Sequence, residues 1–191
     1  MNAVELHDSF VGSGCKGQTS HGPAVSVGAG AIWGHTYNNV TTKGGRYVQG
    51  GGCLTLGVAG LILGGGFGSL SKAFGTAAAN LIEAEVVTAD GEVRLANACT
   101  NPDLFWALKG GGSGFGVVRR VTLRTHELPE VIGAVMATID AASDDAYRGL
   151  VADGVRLLCR SAIQPAVGRA IPPAARPAPV DPDALSGAPS G

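Results

Sequence analysis

Nine glycines fall within the nineteen residues from Gly50 to Gly68, and one side chain among them, Cys53, can form a covalent bond to a ligand. Glycine costs backbone entropy wherever it is used, so this density implies positive φ or backbone lying against something bound. A solvated linker is excluded, because Leu54, Leu56, Val58, Leu61, Ile62, Leu63 and Phe67 are too apolar to stay in water. A spanning helix is excluded too, since the apolar run is about half of the roughly 20 residues a bilayer needs. What fits is a buried turn leading into a short helix over Val58–Leu63, whose first-turn amides are free to meet an anion or ring oxygens. By residue type alone, Cys53 reads as a plain buried thiol.

The elements that must position this stretch follow from pattern. Ala24–Gly28 alternates and is β-branched, which predicts a strand. Residues 31–42 carry Ile32, Trp33 and Val40 at partly helical spacing and end at Lys43-Gly44-Gly45. Residues 46–49 form a short strand into the glycine stretch, and residues 69–79 a turn with a helical fragment. Residues 81–88 and 92–96 flank Ala89-Asp90-Gly91, which predicts a hairpin. Asn101-Pro102-Asp103 opens a helix to Lys109. Leu104, Phe105 and Leu108 make its buried face, and Trp106 is expected to pack. A second glycine cluster, Gly110 to Gly114, ends that helix before a strand over 115–124. A further strand is expected over 131–139 and a helix over 144–158.

Gly28-x-Gly30-x-x-x-Gly34 imitates a nicotinamide-dinucleotide turn. A Rossmann unit also needs an acid roughly 20 residues on to hold the ribose. No acidic residue occurs between Asp8 and Glu83, so this reading ranks last. The same acid-free span contains Lys16, Lys43, Arg46 and Lys72. It suits a neighbouring pyrophosphate, and equally a set of glycine turns with few charges of any sign.

The chain has 191 residues, a net charge of −1 and 45% hydrophobic residues. That is enough for one packed domain and gives no reason to expect nucleic acid or an anionic membrane as partner. Cys15, Cys53, Cys99 and Cys159 lie far apart with no C-x-x-C pair. Neither a metal site nor a disulfide framework is expected, and Cys15 reads as an incidental thiol. Residues 1–23 read as a polar lead-in, without a positive start or apolar h-region, so a cytoplasmic location is the expectation.

Gly52-Cys53-Leu54-Thr55-Leu56-Gly57-Val58-Ala59-Gly60 followed by Gly64-Gly65-Gly66-Phe67-Gly68 resembles the flavin-binding core of the berberine-bridge-enzyme-like branch of FAD-linked oxidases, within the vanillyl-alcohol-oxidase superfamily. Two more blocks agree in order, residues 80–91 and residues 101–112. The resemblance covers roughly residues 24 to 130. It implies an α+β fold, part of a PCMH-type FAD-binding domain (its second FAD-binding subdomain), with a mixed sheet flanked by helices. The domain would occupy 24–130, a substrate domain would begin over 131–159, and 160–191 would be a disordered Pro/Ala-rich tail.

The resemblance also implies FAD as cofactor, covalently held through Cys53 to carbon 6 of the ring. Leu56, Gly57, Gly60, Gly65, Gly66 and Gly68 would line the flavin, and Val86 would contact its adenine half through backbone. Flavin would take a hydride from an alcohol, amine or sugar carbon. The family's upstream loop with Arg and His, and the substrate domain with its catalytic base, have no counterpart in this sequence. A small-molecule substrate is therefore expected only if a substrate domain completes the chain, and no residue is assigned as catalytic. A noncatalytic nucleotide-binding remnant or partner subunit is the alternative.

Overall fold

The structure is a computed structural model that describes residues 1–15, 20–128 and 138–159. At its centre is β6 (Val117–Glu127), the longest strand, with β2 (Ala24–Gly28) on one side and β4 (Leu81–Val87) on the other. β1 (Val4–His7) extends the sheet beyond β2, and β5 (Val93–Asn97) extends it beyond β4. β3 (Arg46–Val48) pairs the C-terminal end of β6. Every one of these pairings is antiparallel. The α+β architecture is as expected, but the mixed strand direction is not found among the described residues. Each strand laid against β6 runs opposite to it, and the Thr88–Glu92 turn sends β5 straight back along β4.

Alternation along the strands gives the sheet one apolar and one polar face. Val25, Val27, Ala84, Val86, Val121 and Leu123 pack with the helices in the core. Ser26, Glu83 and Thr122 share the other face, and Ser26 Oγ and Thr122 Oγ1 lie 2.9 Å apart. Against the apolar face lie α1 (Trp33–Tyr37), which continues as a π-helical turn to Lys43, and α2 (Val58–Leu63). α3 (Ser71–Phe74), a 3-10 turn at Ala78–Asn80, α4 (Pro102–Leu108) and α5 (Asp144–Cys159) complete the described elements. The predicted helix over Val58–Leu63 agrees to the residue.

Several expectations change. Residues 4–7 are a sheet strand instead of a loose lead-in, with Leu6 opposite Val25. Cys15 is bonded to Cys99 across 84 residues of sequence. No local spacing could reveal that pair, because the sheet order is what carries residues 12–15 to the end of β5. Around the bond, the Glu83 carboxylate accepts from Ser13 N–H at 2.6 Å and Asn97 Nδ2 at 2.7 Å, while Asn97 Oδ1 accepts from the Cys99 and Thr100 amides. Trp106 is 80% exposed, since α4 turns Ala107 and Leu108 inward and Trp106 outward. The Rossmann reading falls because β2 has antiparallel neighbours on both sides, leaving no parallel βαβ unit among the described residues. The expected strand over 131–139 lies, for residues 131–137, outside the described residues, as do Lys16 and the tail from residue 160.

Candidate functional site

The glycine stretch is a closed loop with a tight neck and an open crown. At the neck, Gly50 and Gly68 touch. A Cβ on Gly68 would stand 1.9 Å from the Gly50 carbonyl oxygen, and one on Gly50 would stand 2.4 Å from the Trp33 ring. Gln49, wholly buried, ties the neck: its Nε2 donates to Ser71 Oγ at 2.9 Å and to the Gly50 carbonyl at 3.3 Å, and its Oε1 accepts from the Tyr47 hydroxyl. The Gly68 amide also donates to Ser71 Oγ. Both chain ends of the loop are therefore fixed by hydrogen bonds whose groups would be costly to leave unpaired.

The loop's path out and back is fixed in the same way. Trp33 and Gly34 N–H donate to the Leu56 and Leu54 carbonyls, Val58 N–H donates to the Ala31 carbonyl, and the Tyr37 hydroxyl donates to the Gly51 carbonyl at 2.6 Å. Burial raises the Tyr37 phenol well above its ordinary range, so it serves as a donor and not as a base. α2 then starts on Gly57, whose extended backbone makes it the N-cap, and buries Val58, Ile62 and Leu63. Gly65 and Gly66 leave the helix with φ of 96° and 71°, a region that side chains avoid. Their carbonyls accept from Ala78 and Ala77.

The crown differs. A Cβ on Gly52, Gly57 or Gly60 would meet nothing within 4 Å among the described residues, and none of the three has positive φ. The protein's own packing therefore gives no reason for glycine there, whereas a flat ligand lying on the crown does. Cys53 carries a free, exposed thiol on this rim, with Sγ 3.4 Å from Thr55 Oγ1. The Thr55 hydroxyl, helped by the Thr55 and Leu56 amides, holds the thiol below its ordinary pKa. Leu54 and Leu56, just after it in the chain, are exposed. The first-turn amides of Ala59 and Gly60 have no acceptor four residues back inside α2. An electrophilic ring with carbonyl oxygens fits this set: apolar surface, bare backbone, first-turn amides without a partner inside the helix and one activated thiol.

The remaining expected residues separate. Gly65 lies against the second glycine cluster, 3.6 Å from a Cβ built on Gly110, and the Gly112 amide donates to the Leu63 carbonyl. Gly66 and Gly68 are buried, and their neighbours alone demand glycine. Val86 is wholly buried in β4 with strands on both sides, and its Cγ1 would lie 2.7 Å from a Cβ on Gly116. So the structure leaves Cys53, Leu56, Gly57 and Gly60 exposed on one short stretch of the loop, whereas Gly66 and Gly68 are buried, Gly65 lies against Gly110, and Val86 sits in the sheet core. Gln49, Tyr37, Ser71 and Thr55 were not singled out by sequence reasoning. A lone Gln between Val48 and the glycines was the available signal for the first.

Known proteins share this arrangement. Residues 16–97 match the family of FAD binding domains. FAD-linked oxidoreductase easE of Arthroderma benhamiae is 51% identical over 124 residues, which are 62% of this chain and 24% of that protein. The chain thus spans about a quarter of that relative's length. Among solved structures, the VAO-type flavoprotein MtVAO615 of Myceliophthora thermophila aligns with a TM-score of 0.59 at 38% identity, covering 66% of this chain and 22% of that one. Glucooligosaccharide oxidase of Acremonium strictum, described as carrying 6-S-cysteinyl, 8α-N1-histidyl FAD, aligns with a TM-score of 0.55 at 34% identity over 64% of this chain and 24% of its own. Sheet, glycine loop and these likenesses agree: residues 16–97 match an FAD binding domain, and the fold is similar to that of VAO-type flavoproteins.

Proposed function

We propose that the crown of the 50–68 loop carries the flavin ring of an oxidase and that Cys53 is its covalent tether. The observation that carries this is the free, activated thiol standing beside three glycines for which the fold itself has no use. We further place the chain in the berberine-bridge-enzyme-like branch, on the Gly52–Gly60 and Gly64–Gly68 pattern.

Flavin, when bound, supplies the hydride acceptor and the route for electrons to oxygen. The protein's part is positioning. Thr55 keeps the Cys53 sulfur available as thiolate, the form that attacks. Cys53 would hold the ring through its sulfur, in place of a ring hydrogen; counted from the thiolate, that substitution would release one proton and two electrons, with dioxygen as the acceptor for the electrons. Amides at the start of α2 would meet the oxygens of the ring, and exposed Leu54 and Leu56 would offer apolar cover. A substrate carbon bearing a hydroxyl, of the sugar class named for the Acremonium neighbour, is the first to try, with the base supplied from outside the described residues.

The test is to produce the chain with FAD, denature it, and measure visible absorbance and added mass on the polypeptide, in parallel with Cys53→Ala. Flavin mass retained by the native sequence and lost in the variant is the expected result. Flavin bound but washed away from both would leave a cofactor-holding domain without a tether. Failure to bind FAD by either would end the proposal. Loading without oxidation of any sugar or alcohol would support the noncatalytic alternative.

A further inference from the structure

Asn39-Val40-Thr41 is an N-x-T tripeptide, the acceptor pattern for asparagine-linked glycan. A tripeptide alone is weak, because short motifs recur by chance. Two structural observations add to it independently. The first is the Cys15–Cys99 bond, which forms and persists in an oxidising compartment such as the lumen where glycan is transferred. The second is the environment of the acceptor.

Asn39 is partly exposed on the π-helical turn, between exposed Asn38 and fully buried Val40. Its Nδ2 donates to the His35 carbonyl at 2.8 Å and lies 3.4 Å from His35 Nε2. A glycosylated amide keeps one N–H, which suffices for the carbonyl, so the fold gives up only the longer contact. The other place to compare is Asn97-Ala98-Cys99. There Asn97 is 1% exposed, its amide is fully used by Ser13, Glu83, Cys99 and Thr100, and Cys99 is in the disulfide.

We propose that Asn39 is an N-glycosylation site and that the domain folds in an oxidising secretory compartment. The donor is an oligosaccharide carried on a polyprenyl diphosphate. The Asn39 Nδ2 bond to the anomeric carbon forms, the bond from that carbon to diphosphate oxygen breaks, diphosphate leaves with the electron pair, and one Nδ2 proton passes to base. Thr41 completes the acceptor pattern.

The full chain, translated behind a cleavable leader into microsomes with an oxidising lumen, tests this. One discrete upward shift is expected, removed by peptide-N-glycosidase to leave aspartate at position 39 in the peptide mass. Asn39→Gln and Thr41→Ala should each abolish the shift, and Thr41→Ser should retain it. Transfer precedes complete folding, so a variant that folds badly still reports acceptor use. An unshifted native chain beside a processed control, or a shift that survives Asn39→Gln, would overturn the site. Free thiols at Cys15 and Cys99 in the lumenal product would overturn the compartment.

Discussion

The neck and the crown of the 50–68 loop are built from the same residue type for opposite reasons. At the neck, glycine is needed because protein occupies the space a side chain would take: Gly50 against Trp33 and Tyr37, Gly68 against the Gly50 carbonyl. At the crown, Gly52, Gly57 and Gly60 face open space. The fold requires the first set, and a ligand best explains the second. A glycine-rich motif is therefore two sets, one that the surrounding protein requires and one that it does not, and substitution separates them.

The largest effect belongs to the neck. Gly68→Ala forces a methyl group to 1.9 Å from a backbone oxygen that cannot rotate away, and should cost about 3 kcal/mol or more, read as a lowered denaturant midpoint. Survival of Gly68→Ala at native stability would erase the distinction. Next, Gln49→Leu removes the group joining Tyr47, Gly50 and Ser71. About 2 kcal/mol is expected for the polar atoms left unpaired, with faster hydrogen exchange at the Gly68 amide.

At the crown the sign reverses. Gly60→Ala places a better helix former in α2 and should raise stability by about 0.5–1 kcal/mol, while weakening FAD binding measured by titration. A variant that gained stability and bound flavin equally well would show that nothing lies on the crown. The smallest effect is Thr55→Val, which removes the hydroxyl holding the Cys53 thiol low. The folded thiol lies below its ordinary value, so the thiolate fraction is enriched at neutral pH. The variant's alkylation rate should therefore rise with pH at higher pH than the native chain's, with no change in melting.

The elements around the loop were legible from sequence, and the wiring of its neck was not. Apolar periodicity and the glycine stops placed α2, the hairpin of β4 and β5, and the strand β2 close to their observed bounds, because these depend on neighbours in the chain. The same glycines gave no hint of which faced protein and which faced outward, since a missing side chain carries no direction. Cys15–Cys99 and the Ser13–Glu83–Asn97 cluster were invisible for another reason: they join segments far apart in sequence, and only the order of strands across β6 makes them neighbours. Trp106 was misjudged because aromatic type predicts burial on average, while the helix phase set by Leu108 decides it here.

The Cys15–Cys99 bond has a mechanical consequence. A chain drawn apart by its two ends would carry the load across that bond, so β2, the 50–68 loop and the β4–β5 hairpin, all enclosed between the two cysteines, would feel no tension along their backbone. The segments outside, α4 and β6 among them, would stretch first. Reduction would then release the 84 residues of separation as slack, roughly 290 Å of extended chain. In force spectroscopy the protein would thus be short while oxidised and long when reduced.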